Sequence, residues 1–154
     1  RPRAGEQELA AKIIHKTEML VHGQGSHVSL KDEVDLHRTL QHPNVVSLIE
    51  YFDEGLSLTL VLEYCEGGDL FDAIAAERIS RAGGGGLPEC GATTMARHIL
   101  AALVYIHGHS IVHRDVKCEN VLIARARTPL VDNAFKLGDF GFAAVDDGAG
   151  LQGQ

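Results

Sequence analysis

The chain has few of the features that mark secreted, membrane-spanning or nucleic-acid-binding proteins. Its cysteines, Cys65, Cys90 and Cys118, are odd in number and widely spaced, with no Cys-x-x-Cys pair. A disulfide framework is therefore not expected. No apolar run approaches the length of a membrane-spanning helix, which excludes a span and any membrane partner of that kind. The first residues carry no secretory-signal pattern, and with the cysteine usage this points to a reducing, intracellular and cytoplasmic setting. A basic excess is also missing. The net charge of -7 and pI near 5.7 argue against non-specific nucleic-acid binding, which calls for a basic face. Internal repeats are not evident. No Ser, Thr or Tyr follows Thr128, so the end of the chain offers no hydroxyl for phosphorylation.

What is present is enough for one ordinary domain: 154 residues, 45% of them apolar. The most informative stretch is His113-Arg114-Asp115-Val116-Lys117-Cys118-Glu119-Asn120, followed by Asp139-Phe140-Gly141. The first run brings a potential base, a cation and a carboxamide together, and the second adds a carboxylate on a turn loosened by glycine. Either alone says little, since Asp-Phe-Gly is a common turn. At this spacing, and flanked by the strand-like segments Val121–Ile123 and Phe135–Leu137, the two resemble the catalytic loop and metal-binding turn of the eukaryotic protein kinases, serine/threonine type.

The resemblance implies a fold, a reaction and a set of roles. The fold class is α+β: a partial N-lobe antiparallel sheet with one helix over residues 1–62, a hinge at 63–69, and the beginning of a mainly helical C-lobe over 70–154, to the start of the activation loop. The reaction is transfer of the γ-phosphate of ATP, with Mg²⁺, to a Ser or Thr hydroxyl of a protein substrate. A loose phosphoryl-transfer transition state leaves little covalent work, so alignment and charge carry the catalysis. Asp115 would accept the hydroxyl proton, and Lys117 would place a positive charge near the transferring phosphate. Asn120 and Asp139 would bind Mg²⁺, both being hard oxygen donors. His113 would pack beneath Phe140. Arg114 would contact a phosphorylated activation loop, and since no hydroxyl follows Thr128 its partner is expected to lie outside this chain.

The nucleotide anchors come from the N-terminal half. Leu9-Ala10-Ala11-Lys12-Ile13-Ile14 reads as an apolar strand with one lysine in it, a costly placement unless the charge is paired. His42-Pro43-Asn44-Val45-Val46 fixes the family register and makes Glu33, on a helix carrying Val34, Leu36 and Leu40, the expected partner of Lys12. One departure is His37, where the family has an apolar residue. Residues 56–64 read as a buried strand that ends in Glu63-Tyr64-Cys65-Glu66-Gly67-Gly68-Asp69. By resemblance the Glu63 carbonyl and the Cys65 amide would meet the adenine edge, because unpaired backbone offers donors and acceptors whatever the side chain. Leu62 would be the gatekeeper, Asp69 would bind ribose, and Leu122 and Ala10 would lie below and above the adenine.

Residues 88–109 place Met95, Ile99, Ala102, Leu103 and Ile106 on one helical stripe, with Pro88 suited to the first turn. Residues 81–86 carry no pattern and read as a mobile surface insertion. Their glycines do not make a phosphate loop, because no strand precedes them and no Lys-Ser/Thr follows. Gly23-Gln24-Gly25 reads as a turn. A zinc site at His107, His109, His113 and Cys118 is the weaker reading, since His107 and His113 already have places in the kinase pattern. Only residues 1–8 precede the lysine strand, so the family's glycine-rich loop is not among these residues, nor are the later C-lobe helices. The outer face of the 88–109 helix would then stay wet or be covered by a partner protein. The alternative reading is a catalytically inactive, pseudokinase-like binding module, which would have no use for the Lys12, Glu33, Asp115, Asn120 and Asp139 set.

Overall fold

The computed structural model describes residues 8–16, 30–80 and 86–146, the side chains of residues 30–33 and 80 excepted. The readings made above for residues 23–25 and 81–85 therefore lie outside the described residues. The chain forms two compact units, one of residues 1–41 and 46–64 and one of residues 42–45 and 65–154.

In the first unit, β1 (Leu9–His15), β2 (Leu48–Asp53) and β3 (Ser57–Glu63) form an antiparallel sheet of order β1-β3-β2. The β2–β3 connection turns at Gly55, whose φ of 78° is a conformation that glycine adopts without strain. There Asp53 Oδ1 accepts the Gly55 amide at 3.1 Å. Register places Ala10 opposite Leu62, Lys12 opposite Leu60 and Ile14 opposite Leu58. Side chains opposite one another share a face, so Ala10, Lys12 and Ile14 lie on one side of the sheet. The helix α1 (Leu30–Thr39) packs on that side through Val34, which forms a buried cluster with Leu48 and Leu58, against which Ile14, Tyr51, Leu60 and Leu62 pack. The unexpected His37 is accommodated rather than disruptive. It is buried, and its Nε2 donates to the Val46 carbonyl at 2.8 Å.

The second unit holds α2 (Leu70–Ser80) and α3 (Glu89–Gly108), with the short pairs β4 (Ile111–Val112) with β7 (Ala144–Val145) and β5 (Val121–Ile123) with β6 (Phe135–Leu137). The apolar stripe of α3 faces inward: Ile99, Ala102 and Ile106 are buried and Met95 and Leu103 half-buried, while Leu100 and Val104, which lie off the stripe, are exposed. Pro88 stands just before the helix as its N-cap, not within the first turn, with its carbonyl taken by the Ala92 amide at 2.9 Å. Gly91 lets α3 approach Leu130 so closely that a Cβ there would lie 3.0 Å from the Leu130 Cβ.

Three side chains pin the β5–β6 hairpin. Asn44 donates from Nδ2 to the Phe135 carbonyl at 2.9 Å, and its own carbonyl accepts the Leu137 amide at 2.8 Å. His98 on α3 accepts the Phe135 amide at Nδ1, 3.3 Å away. Asn133, buried, uses its whole carboxamide: Oδ1 accepts the amides of Arg125 and Ala134, and Nδ2 donates to the carbonyls of Arg125 and Thr128. Removing a buried hub of this kind leaves backbone groups without partners. Asn133→Ala is expected to destabilise the protein by about 2–4 kcal/mol, read as a lower midpoint in urea. A loss below about 1 kcal/mol would show that water replaces the side chain.

Candidate active site

The residues between β4 and β5 fold back on themselves around Asp115. Asp115 Oδ2 accepts a 2.8 Å ion pair from Lys117 Nζ and a 2.9 Å hydrogen bond from Asn120 Nδ2. Asn120 Nδ2 also donates to the Asp115 main-chain carbonyl at 2.8 Å. With two acceptors facing it, the nitrogen end of the Asn120 carboxamide is fixed on Asp115, which turns its oxygen Oδ1 the other way. A short 3-10 turn, Cys118–Asn120, produces this fold-back, and Gly138, the residue before Asp139, donates its amide to the Asn120 carbonyl at 2.8 Å. The loop and the Asp139 turn are thus joined through backbone as well as through the β5–β6 pair.

Charge in the cluster follows from the same contacts. The hydrogen-bonded Lys117 ammonium, and then the Asn120 amide, hold the Asp115 carboxyl below the usual carboxylate range against its partial desolvation. Asp115 in turn raises Lys117, with Glu119 and Asp139 adding to the effect. Both are ionised at neutral pH.

His113 is buried beneath this loop. Its ring meets Phe140 edge-on with centroids 4.9 Å apart. Nε2 donates to the Gly138 carbonyl at 2.9 Å while Nδ1 accepts the Asp115 amide at 3.3 Å. Those two bonds require the neutral ring. Burial holds its pKa below the ordinary 6.5, although the Gly138 carbonyl and the charges of Asp139 and Asp115 pull upward. His42 and His98 are lowered as well, each by burial first and then by a neighbouring cation, Lys136 and Arg97 respectively. Below about pH 6.5 the unfolded chain takes up protons that the folded chain refuses, so stability falls with falling pH. The expected result is a lower Tm at pH 5.5 than at pH 7.5, with a slope of at most about 1.4 kcal/mol per pH unit for each histidine. A flat Tm over that range would contradict the buried neutral His113.

Two residues here sit in the left-handed region that side chains seldom adopt: Arg114 at φ 64° and Asp139 at φ 57°. Asp139 is steadied by its own turn, with Oδ1 accepting the Gly141 amide at 3.3 Å. Arg114, expected to meet a phosphorylated group outside this chain, also has a contact within it: its Nε donates to the Phe142 carbonyl at 2.5 Å. A backbone carbonyl one residue past Asp139-Phe140-Gly141 carries no signature in the sequence.

The remaining candidates fall on both units. Ala10, Lys12, Leu62 and Glu63 belong to the first, on β1 and β3. Glu33 is on α1, but its side chain, and with it the expected Lys12–Glu33 pair, lies outside the described residues. The Glu63 amide donates to Ser47 and a Glu63 carboxylate oxygen accepts the Ser47 amide, which ties β3 to the start of β2. Cys65, Asp69 and Leu122 belong to the second unit. There residues 66–69 are stitched to β5: Glu66 and Gly67 donate to the carbonyls of Ala124 and Ile123, Ile123 donates back to Gly68, and Asp69 bridges Leu122. Asp69 Oδ1 also accepts the Asp72 amide at 2.8 Å and so caps α2. Among the described residues no group of three or more His, Cys, Asp and Glu is arranged to hold a metal, which leaves the zinc reading without support. Nor is any described helix long and apolar enough to cross a membrane.

Sequence comparison agrees with this geometry. The protein kinase domain family matches residues 2–149. The chain is 38% identical over 146 residues to the serine/threonine-protein kinase DCLK2 of Rattus norvegicus, covering 95% of this chain and 17% of that protein. It is equally similar to DCLK1 of the same species, of which it covers 31%. It is 38% identical over 143 residues to DCLK3 of Homo sapiens, covering 93% of this chain and 20% of that protein. The chain therefore spans less than a third of each of these relatives. With a matched region that takes in both the Asp115 loop and the Asp139 turn, the chain belongs to the protein kinase domain family.

Proposed function

We propose that this chain is the ATP-binding and catalytic-loop portion of a serine/threonine protein kinase. The observation that carries the reading is the polar cluster of Asp115, Lys117 and Asn120, joined through the Gly138 amide to the turn that bears Asp139. A binding module needs none of these residues in this arrangement, whereas phosphoryl transfer uses each of them.

Asp115, ionised and held below the usual carboxylate range, is a weak base in the ground state. Its task is to accept a hydrogen bond from the incoming Ser or Thr hydroxyl and orient the oxygen. It takes the proton only as the bond to phosphorus forms and the hydroxyl becomes acidic. Lys117, with 46% of its side chain exposed, keeps Asp115 charged and offers a positive charge to the transferring phosphate. Asn120 locks the Asp115 carboxylate and main chain in one orientation. Removing it would loosen the base as well as a ligand.

The donor chemistry fits Mg²⁺. The Asn120 carboxamide oxygen and the Asp139 carboxylate are hard oxygen donors, and a protein that supplies only these leaves the other positions to water and nucleotide phosphates, as Mg²⁺ prefers. When bound, the ion neutralises charge on the phosphate oxygens. In the same reading Lys12, paired with Glu33, grips the α- and β-phosphates. Residues 63–69 act as the hinge, with the Glu63 carbonyl and Cys65 amide on the adenine edge, Leu62 as gatekeeper, Ala10 and Leu122 on the adenine faces, and Asp69 on the ribose. Residues 1–62 and 70–154 then belong to the N-lobe and to the first part of the C-lobe, and the substrate is a protein with a Ser or Thr hydroxyl.

The test is a nucleotide titration of the native gene product with and without Mg²⁺. Asp139→Asn is expected to abolish most of the Mg²⁺-dependent gain in ATP affinity, about tenfold or more, and to leave metal-free binding unchanged. An unaltered Mg²⁺ dependence would remove Asp139 from the metal site.

A further inference from the structure

We propose that Thr128, in the β5–β6 connection, is a phosphorylation site for a proline-directed protein kinase, with Arg125 and Arg127 holding the phosphate once it is attached. The segment Arg125-Ala126-Arg127-Thr128-Pro129 is exposed except for Thr128, which is half-buried. The threonine side chain makes only a 3.5 Å contact, from Oγ1 to the Ala126 carbonyl, so modification displaces little. Pro129 bars Thr128 from helical backbone by the clash of its ring with the preceding residue. Pro129 itself is extended, at φ -53° and ψ 143°. The acceptor hydroxyl thus stands between the left-handed Arg127 and an extended proline, with no amide on the following residue to leave unpaired.

The surroundings suit the product. Phosphorylation adds about -1.5 to -2 charges and three strong acceptor oxygens. Arg125 and Arg127 lie three and one residues before Thr128, both exposed. Arg127 is held at φ 58°, in the left-handed region, directly before the threonine. Asn133 staples the same loop through its main chain alone, so the arginine side chains are not needed to keep the loop in place. Asp132 is the one carboxylate in residues 125–133, and it opposes the effect. The step balances without a further reagent. Thr128 Oγ1 attacks the γ-phosphorus of ATP, the bond from that phosphorus to the bridging oxygen breaks, ADP leaves, and the hydroxyl proton passes to the modifying kinase's base.

The test treats the purified chain with a proline-directed kinase and ATP, maps the phosphate by fragment-ion mass spectrometry, and compares Tm before and after. One phosphate is expected on Thr128, absent in Thr128→Val and at least about tenfold slower in Pro129→Ala. Tm is expected to rise by about 2–4 °C on modification. The double variant Arg125→Ala with Arg127→Ala should still be phosphorylated but show no rise. No phosphate on Thr128, under conditions that fully label a reference peptide, would overturn the site. Phosphate on Thr128 without a rise, or a rise that survives loss of both arginines, would overturn the part assigned to the arginines.

Discussion

Replacing Asp115 with Asn is expected to lower phosphoryl transfer by about 10²–10⁴-fold in the native gene product, while ATP affinity stays within about twofold. The size of the effect follows from what is lost. Asparagine keeps the shape and can still accept from Lys117 and Asn120, so the loop should fold as before. It cannot take a proton, and its neutral oxygen orients an incoming hydroxyl less firmly than a carboxylate does. The contacts of Asp115 Oδ2 to Lys117 and Asn120 make the same point from the other side. Both donors are arranged to keep that group charged, and an amide would leave Lys117 with a weaker partner. Steady-state transfer to a Ser/Thr peptide, with nucleotide affinity measured separately, reads the two effects apart. Transfer within threefold of wild type would take Asp115 out of the mechanism. Parallel loss of transfer and nucleotide binding would point to a collapsed site instead.

The second large effect is expected at Gly67, far in sequence from the catalytic loop. A Cβ there would fall 2.5 Å from Ile123 Cγ2 and 2.7 Å from the Ile123 carbonyl oxygen. A rotamer change can relieve the first contact but not the second, because that oxygen is backbone and is already bonded to the Gly67 amide at 2.9 Å. Gly67→Ala must therefore push residues 66–69 away from β5, breaking the exchange of hydrogen bonds that joins them. A loss of about 3 kcal/mol is expected, measured as the shift in a denaturant midpoint. Gly68→Ala makes an informative contrast. Nothing lies within 4 Å of its added Cβ, but its φ of 72° penalises a side chain, so the cost there is about 1 kcal/mol and purely conformational. Equal effects at the two positions would contradict the steric account.

Much of this was readable from sequence, for reasons that differ by element. The strands Val121–Ile123 and Phe135–Leu137 were legible because the first is a short apolar run and the second alternates apolar and polar residues, each close to polar turn residues. The helix at Glu89–Gly108 was legible because its buried positions recur at helical spacing. The β4–β7 pair was not, since two-residue strands carry no periodicity and owe their pairing to the backbone around Arg114 and Phe142. Asn44 was used above only to fix a register. Its position beside the apolar Val45-Val46 was the available signal, because a buried carboxamide must find partners, and it finds them on Phe135 and Leu137. His37 looked like a misfit in an apolar position, and nothing in the sequence indicated that the Val46 carbonyl would be within reach. The cluster around Asp115 was legible as residue types and spacing. Its handedness was not: arginine has no special freedom to adopt the left-handed backbone found at Arg114, and aspartate, which tolerates it better, does not announce it at Asp139.

The measurement that bears most directly on the central claim is transfer of label from γ-labelled ATP to a Ser/Thr peptide library by the native gene product, with Mg²⁺ present and absent. The account predicts Mg²⁺-dependent label on Ser or Thr that disappears in Asp115→Asn. Tight binding of ATP with no label transferred, by wild type and variant alike, would contradict it and leave a pseudokinase-like binding module as the reading.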